Sequence, residues 1–181
     1  MDHRLVQQAQ HGDERAFAEL AYAVGDRLYA LAHRILRDVD LAEEATQQTL
    51  VNIWRDLPSL RDPSRFEAWA FRMVVNACYR ETRRVRRFQA KVHLLRADGP
   101  SGDPAPHVAD RDELERAFVR LPPEQRAVLV LQYHLGLSMD GIADQLGIPV
   151  GTVRSRIHHA KRALRAAIEA DARTAVGEQQ A

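Results

Sequence analysis

One predicted helix, from about residue 65 into the mid-80s, carries an arginine-rich polar face. At about 100° per residue, one side of this helix collects six polar side chains: Arg72, Asn76, Tyr79, Arg80, Arg83 and Arg87. Arginine neutralises phosphates, an asparagine amide can hydrogen-bond a base edge, and an aromatic ring can stack on an exposed base. The pattern therefore indicates contact with nucleic acid. A solvated helix face is the alternative interpretation.

Two more residues lie beside this face. Arg84 belongs to a stretch, residues 80–96, in which seven basic residues accompany the single acid Glu81. Trp69 lies at the border between the polar face and the apolar side, on which Phe66 and Val74 fall. A core anchor and a base-stacking role both fit Trp69. We include Trp69 and Arg84 among the candidate DNA-binding residues.

A second basic surface belongs to a pattern typical of a helix-turn-helix motif. A short helix expected to begin at Ser138 ends at Gly147, and a basic helix follows from about Pro149 to Ala167. The N-terminal part of the second helix of this motif meets base edges in the major groove. Candidate base readers are therefore Thr152, Arg154, Ser155 and His158. Residues farther along suit phosphates or lie beside them: Arg156, His159, Lys161, Arg162 and Arg165.

Other chemistries find little support in the sequence. His158 and His159 point about 100° apart on a helix, and no cysteine or carboxylate lies within a turn of them, so we predict no metal site. Glu43 and Glu44 with His33 lack the second Glu-x-x-His set of a carboxylate-bridged metal centre. No glycine-rich phosphate loop or nucleophile signature occurs. We therefore predict that the protein is not an enzyme and needs no cofactor.

Composition limits the cellular context. The chain has 181 residues, a formal net charge of +1 and a single cysteine, Cys78, which excludes a disulfide framework and a cysteine zinc site. No stretch approaches about 18 uncharged apolar residues, and the N-terminal residues lack the apolar run of a signal peptide. We expect a cytoplasmic protein that does not insert into membranes.

Periodicity and punctuation predict an all-α fold of two small domains. Apolar residues recur at helical spacing over about 14–37 and 41–56, with Asp40 as the expected cap of the second helix. Ser64 and Glu67 have the spacing of a capping box. Residues 97–112, ADGPSGDPAPHVADRD, have the composition of a flexible acidic linker. The predicted division is a domain at 1–96, a linker at 97–112, a helix-turn-helix domain at 113–170 and a disordered tail at 171–181.

Three segments resemble a known family. Residues 121–165, LPPEQRAVLVLQYHLGLSMDGIADQLGIPVGTVRSRIHHAKRALR, resemble the fourth conserved region of bacterial RNA polymerase sigma factors of the extracytoplasmic-function (ECF) type. Residues 42–54, AEEATQQTLVNIW, and 66–84, FEAWAFRMVVNACYRETRR, resemble the second conserved region. The third region of larger sigma factors has no counterpart, and the acidic segment takes its place.

The resemblance implies a mechanism and its partners. Such a factor binds core RNA polymerase, brings it to promoter DNA and helps to open the duplex. The docking surface for the polymerase clamp helices corresponds to Glu43, Glu44, Gln47 and Trp54. The loop at 60–66, with Arg61, and the helix bearing Asn76 correspond to the part that captures a flipped base of the minus-ten element. The last helix corresponds to the reader of the minus-thirty-five element. An anti-sigma factor is a further partner in many such proteins, and we expect a monomer in the free state.

Two residues, Arg80 and Gly141, depart from the pattern of the family. Arg80 stands where an acid is common four residues after the asparagine, which predicts a shifted DNA contact. Gly141 replaces the glutamate that would complete a capping box with Ser138, which should weaken that helix start by about 1 kcal/mol.

The alternative function is a stand-alone helix-turn-helix regulator. Such regulators usually dimerise, yet 113–170 offers no spare apolar helix for a dimer interface.

Overall fold

The computed structural model describes residues 2–95 and 113–178, with side chains described over 2–90 and 114–170. The described residues form helices and no strand. In chain order the α-helices are α1 (His3–Gln10), α2 (Glu14–Leu36), α3 (Val39–Asp56), α4 (Phe66–Leu95), α5 (Glu113–Arg120), α6 (Pro123–Tyr133), α7 (Met139–Leu146) and α8 (Val150–Glu178). Short 3-10 turns at Leu57–Ser59 and Pro63–Arg65 connect α3 to α4. The predicted all-α class is confirmed.

The helices of the first half begin at aspartate caps. Asp13 accepts hydrogen bonds from the backbone N–H groups of Arg15 (2.9 Å) and Ala16 (3.1 Å) at the start of α2. Asp38 accepts from Leu41 N at 2.9 Å and so begins α3 two residues before the expected cap, Asp40. Each carboxylate satisfies N–H groups that the first helical turn leaves without a partner.

The expected capping box at Ser64 is wrong. Asp62 accepts hydrogen bonds from both the backbone N (2.9 Å) and the Oγ (2.6 Å) of Ser64. Ser64 therefore lies inside the turn that Asp62 caps, and among the described residues no backbone N–H of α4 donates to its hydroxyl. The chain makes a 3-10 turn at Pro63–Arg65 before α4 begins, so the cap position expected at Ser64 falls one residue into that turn.

The first domain packs α1 to α4 around apolar residues of α2 and α4. Leu20, Leu28 and Ile35 of α2 and Phe66 and Val74 of α4 are fully buried. Of the expected stripe of α3, Ile53 and Leu57 are buried and Leu50 is partly buried, but Trp54 is 42% exposed. The other buried positions of α3 are small or polar: Ala42, Ala45, Thr46, Thr49 and Asn52. Small side chains let α3 approach its neighbours closely.

The second domain contains the helix-turn-helix. Ser138 accepts a hydrogen bond from Gly141 N at 3.0 Å and caps α7, and Gly147 ends it with a left-handed φ of 65°. Ile142 of α7 and Val153 and Ile157 of α8 are buried between these helices. The expected layout of short helix, glycine, tight turn and basic helix is therefore present. Helix α8 continues to Glu178, so 171–178 is helical where a disordered tail was expected. Residues 97–112, the expected linker, lie outside the described residues.

The two domains contact each other. Arg126 Nη1 of α6 donates a buried hydrogen bond to the carbonyl of Leu36 at 3.2 Å. Arg37, which ends α2 in the left-handed conformation (φ 59°), forms an ion pair with Glu115 of α5. A third bond runs from Gln145 Nε2 of α7 to the carbonyl of Ala68 in α4. The interface thus joins the end of α2 to α5 and α6, and the start of α4 to α7.

Candidate nucleic-acid interface

The polar face of α4 is exposed for most of its length. Asn76, Arg80, Arg83 and Arg87 are solvent-exposed, and so are Arg72 and Arg84. The apolar residues opposite, among them Phe66, Ala70 and Val74, are buried. The helical periodicity therefore placed the arginines and Asn76 on one accessible face, as the sequence indicated.

Tyr79 does not share that face, and its expected orientation is wrong. Its ring packs against the hydrophobic core, and its hydroxyl is buried without a hydrogen-bond partner. Burial raises the pKa of the Tyr79 phenol to about 12, and the charges of Arg156 and Glu124 in the second domain also act on it. Tyr79 is therefore half-buried near residues of the second domain, whereas Asn76, three residues before it, is exposed.

Arg72 contacts the second domain too. A Cβ at Gly147, the residue that ends α7 and begins the turn, would lie 3.3 Å from the guanidinium carbon of Arg72. The guanidinium therefore lies directly against the backbone of the helix-turn-helix. Arg72 is exposed but contacts Gly147, whereas Tyr79 packs against the core, so the freely accessible part of the face consists of Asn76 and the arginines beyond it.

Trp69 and Arg61 lie near the start of α4. Trp69 is half-buried and packs against the core, with its ring centroid 6.1 Å from that of Phe66. This supports the core-anchor interpretation of Trp69, while its partial exposure keeps one side accessible. Arg61 is exposed in the connection between the two 3-10 turns. Both residues border the loop that leads into α4.

A groove separates α3 from α4 beside Asn76. It has a volume of about 770 Å³ and is lined by Gln48, Asn52, Arg55, Asp56, Met73, Asn76, Arg80, Glu81, Arg83, Arg84 and Arg87. Sequence reasoning placed Gln48 on the outside of α3 and gave no role to Asn52 or Arg55. No sequence signal identified them, because Asn52 is recognised as a buried polar residue (8% exposed) only once α3 packs on its neighbours, and Arg55 is exposed.

The start of α8 presents the candidate base readers of the second domain. Arg154, Ser155 and His158 are exposed, whereas Thr152 and Arg156 are half-buried. Ser155 Oγ donates to the carbonyl of Thr152 at 3.0 Å. Farther along, His159, Lys161, Arg162 and Arg165 are exposed, and the Lys161 ammonium lies 5.4 Å from the centroid of the Tyr133 ring. One continuous side of α8 is therefore available to a polyanion.

The histidine pair shows no additional ligands. The rings of His158 and His159 meet edge to face with centroids 5.7 Å apart. Across the described residues, no group of three or more histidine, cysteine, aspartate or glutamate side chains could hold a metal ion. Cys78 is buried, and burial raises its thiol pKa to about 12, so the thiol is protonated and unreactive at neutral pH. Within the same residues no helix is long and apolar enough to cross a membrane.

The candidate polymerase-docking residues lie on a different side of the first domain. Glu43, Glu44 and Gln47 are exposed on α3. Trp54, two to three turns farther along α3, packs edge to face on Phe17 of α2 with ring centroids 4.6 Å apart and stays 42% exposed. An exposed acidic and amide surface next to an aromatic ring has the composition of a protein-binding site.

These features define a helical DNA-binding protein that carries a helix-turn-helix domain and a separate arginine-rich domain. The sequence matches the family model for sigma-70 region 2 over residues 20–88 and the model for sigma-70 region 4 over residues 111–164. It is 36% identical over 165 residues to the ECF RNA polymerase sigma factor SigE of Mycolicibacterium smegmatis, an alignment that covers 85% of this chain and 63% of that protein.

Two further comparisons cover almost the whole of the similar protein. The RNA polymerase sigma-H factor of Pseudomonas aeruginosa is 31% identical over 183 residues, with 93% of this chain and 94% of that protein aligned. The sigma factor RpoE of Bartonella quintana, solved in complex with the anti-sigma factor NepR, superposes with a TM-score of 0.63 at 26% identity, and the match covers 86% of this chain and 98% of that one. The chain belongs to the sigma-70 family of RNA polymerase sigma factors, in its ECF group.

Proposed function

We propose that this protein binds core RNA polymerase, directs it to promoters and helps to open the DNA. The observation that carries the proposal is the presence of two separate cationic surfaces on one chain of this family. One surface, on α4, combines Asn76 with exposed arginines, and the other, on α8, begins with Arg154 and Ser155. The first suits separated strands, and the second suits the major groove of a duplex.

The arrangement of the domains implies a conformational change during promoter binding. The minus-ten and minus-thirty-five elements are roughly 25 base pairs apart, or about 85 Å at about 3.4 Å per step. A compact chain of this length has a radius of gyration of only about 16 Å. The domains must therefore separate to bind both elements. An extended segment the length of 97–112 could reach about 55 Å, which permits that separation.

Separation would also expose residues that now face the second domain. Arg72 lies against Gly147, and Tyr79 has a buried hydroxyl. Once α7 and α8 move away, Arg72 loses its contact with Gly147 and the Tyr79 hydroxyl becomes accessible on α4. Tyr79 then returns as a candidate for base stacking in the open form, although it is covered in the closed one.

The remaining roles follow from this proposal. The acidic surface with Glu43, Glu44 and Gln47 binds a basic surface of the polymerase, and the protein acts in the cytoplasm, where the polymerase acts. It performs no reaction of its own and contributes binding energy to strand separation. Since the similar sigma factor of Bartonella quintana was solved with an anti-sigma factor, we propose a protein of that kind as an additional partner here. The stand-alone regulator is not favoured, because the first domain matches sigma-70 region 2.

Reconstituted transcription tests the proposed function. Core RNA polymerase is mixed with the full chain and a library of genomic fragments, and run-off transcripts are sequenced. We expect transcripts that begin at a shared set of promoters and depend on the added chain. Core polymerase alone is the control. Salt-dependent binding of the isolated chain to a palindrome, together with no transcripts in the reconstituted reaction, would favour the stand-alone regulator instead.

A further inference from the structure

The side chain that ends α1 holds the connection between α3 and α4. Gln10 Nε2 donates hydrogen bonds to the carbonyl oxygens of Leu57 at 3.1 Å and Leu60 at 2.7 Å, which lie 47 and 50 residues farther along the chain. Since both partners are acceptors, only the NH2 end of the amide fits between them, and both of its hydrogens are used. Helix α1 is itself anchored in the first domain by Val6 and Ala9, which are buried.

These hydrogen bonds fix both ends of the first 3-10 turn, Leu57–Ser59. Leu57 begins the turn, and its carbonyl also accepts the hydrogen bond of the turn itself from Leu60 N at 3.1 Å. Leu60 follows the turn with extended backbone, at φ −71° and ψ 109°. Gln10 therefore bridges the carbonyl at which the turn begins and the carbonyl of the first residue after it.

Helix α1 also packs against the second 3-10 turn, Pro63–Arg65, which Asp62 caps. The hydrogen bonds that Ser64 donates lower the pKa of the Asp62 carboxyl. The charges of Arg65 and His3 lower that pKa further, and His3 is the first residue of α1. One short helix therefore contacts both turns of the connection.

Arg61 is exposed between the two turns, on a backbone that is held on both sides. Leu60, before it, is bound by Gln10, and Asp62, after it, is bound by Ser64 N at 2.9 Å. A connection that is already ordered presents its exposed side chain to a ligand without the entropic cost of fixing the backbone at the moment of binding.

We propose that Gln10 is a positioning residue for promoter opening: by holding the carbonyls of Leu57 and Leu60, it keeps the connection at 57–65 in the conformation that presents Arg61 to the separated strand. The inference rests on the proposed function and extends it to α1, a helix outside both cationic surfaces. A role for Gln10 in packing alone would affect the stability of the first domain, whereas the positioning role predicts a selective effect on opening.

Three variants separate hydrogen bonding from packing and from charge. Gln10→Met keeps a side chain of similar length that donates no hydrogen bond. Gln10→Lys restores donors, because an ammonium group has three N–H bonds and no acceptor. Gln8→Lys, at an exposed position on the same helix, adds the same charge away from the connection and is the matched control.

The mobility of the connection is measured on the full chain by electron paramagnetic resonance. A nitroxide label attached to the introduced cysteine Arg61→Cys reports the motion of this backbone, and the native Cys78 is buried and stays unlabelled. We expect Gln10→Met to narrow the spectral lines, because the label moves faster once the carbonyls are released. Gln10→Lys and Gln8→Lys should keep the wild-type spectrum. An unchanged spectrum in Gln10→Met would overturn the inference.

Promoter opening is then compared with promoter capture in the holoenzyme, with the native Arg61 in place. Permanganate reactivity of thymines measures opening, and fluorescence anisotropy of duplex promoter DNA at low temperature measures capture. Gln10→Met should lower opening about tenfold, as expected for the loss of two hydrogen bonds of ordinary strength. Capture should be unchanged, because the duplex element is bound by α8. Gln10→Lys should restore opening, and Gln8→Lys should behave as the wild type.

The outcomes distinguish failure of this inference from failure of the proposed function. If the wild-type holoenzyme opens no promoter, the proposed function fails and the role of Gln10 in opening fails with it. If the wild type opens promoters and Gln10→Met does so equally well, or loses capture and opening to the same extent, the positioning role is wrong. Equal losses in Gln10→Met and Gln10→Lys would assign the side chain to packing and also reject it. Circular dichroism shows whether Gln10→Met folds, and Gln10→Ala, a second variant without a donor, decides the question if it does not.

Discussion

Arg126 and Leu36, ninety residues apart in the chain, are joined by a buried hydrogen bond from Nη1 to the carbonyl oxygen, 3.2 Å long. Leu36 is the last residue of α2, where carbonyl groups lack partners within the helix. The guanidinium of the second domain therefore completes the C-terminus of a helix in the first. The charge also faces the negative end of the α2 dipole, which favours a cation there.

The same contact carries an energetic cost. Arg126 is 7% exposed, its Nε has no partner, and no described carboxylate lies within ion-pair distance of it. Burial lowers the pKa of Arg126 to about 10, so the side chain is still charged at neutral pH. A buried charge without an ion partner destabilises the closed form relative to one in which water reaches the guanidinium. The domain interface therefore contains a charge that is better hydrated after the domains separate.

The ion pair between Arg37 and Glu115 offers a direct way to shift this equilibrium. Glu115→Lys places a cation next to Arg37 and should favour the open form by about 1 kcal/mol, or roughly fivefold. Fluorescent dyes attached to the introduced cysteines Ala23→Cys in the first domain and Ala163→Cys in the second report the distance between the two domains by fluorescence resonance energy transfer. We expect lower transfer efficiency in the variant.

Cys78 permits this labelling because it is buried. Glu19→Lys, at an exposed position on α2 without an ion pair among the described residues, is the control for the change in net charge. Unchanged transfer in Glu115→Lys at low and at physiological salt would show that this ion pair does not hold the domains together.

Reversal of two charges on α3 should weaken polymerase binding. Glu43 and Glu44 are exposed and make no contact with the core, so the double variant Glu43→Lys, Glu44→Lys should fold normally. Loss of charge complementarity at an interface slows association and lowers affinity, and we expect about a tenfold weaker affinity for core polymerase. Fluorescence anisotropy of labelled chain titrated with core enzyme measures it. Wild-type affinity in the double variant, with unchanged helix content, would remove this surface from the docking site.

The buried hydroxyl of Tyr79 predicts an unusual effect of pH on stability. Because the pKa is raised to about 12, the folded protein keeps the phenol proton between about pH 10 and 12 while the unfolded chain releases it. The free energy of unfolding should therefore fall over that range. Tyr79→Phe removes both this dependence and a buried hydroxyl without a partner, so it should be more stable by about 1 kcal/mol at pH 7, and the gap should widen above pH 10.

Urea denaturation of both proteins at pH 7 and pH 11 measures this difference. Tyr22→Phe is the control, because Tyr22 is 89% exposed and its hydroxyl is hydrated in both states. If Tyr79→Phe is less stable than the wild type at pH 7, the Tyr79 hydroxyl has a hydrogen-bond partner, and the description of it as buried and unpartnered is wrong.

The sequence predicted local structure better than the contacts between helices. The periodicity of α2 and, except for Tyr79, that of α4 gave their exposed and buried sides correctly, and the glycine at 147 marked the helix-turn-helix turn. The eight-residue helices α1 and α5 were missed, since isolated helices of that length are marginal and depend on tertiary packing of residues such as Val6 and Ala117.

The site was predicted in part for the same reason. A helical wheel assigns an angle to Tyr79 but does not reveal that its ring packs against the core and lies near charged residues of the second domain, Arg156 and Glu124. It also placed Gln48 outside without revealing the groove that Gln48 shares with Asn76 of the adjacent helix. Residues that act within one helix could be found from spacing, whereas those that act across two helices required the packing of α3 against α4.

Arg154 and Arg165, although both lie on α8, should contact different parts of the upstream promoter element. Arg154 is exposed in the first turns of the helix, where a bidentate contact with guanine is worth about 1–3 kcal/mol, whereas Arg165, three turns farther on, should contact phosphate alone. Arg154→Ala should therefore change which upstream elements are accepted, and Arg165→Ala should weaken all promoters about equally and reduce the salt dependence of binding. Selection from a randomised upstream element by each holoenzyme compares the two. If Arg154→Ala selects the wild-type sequences with lower affinity only, this arginine binds the backbone and another residue of α8 reads the bases.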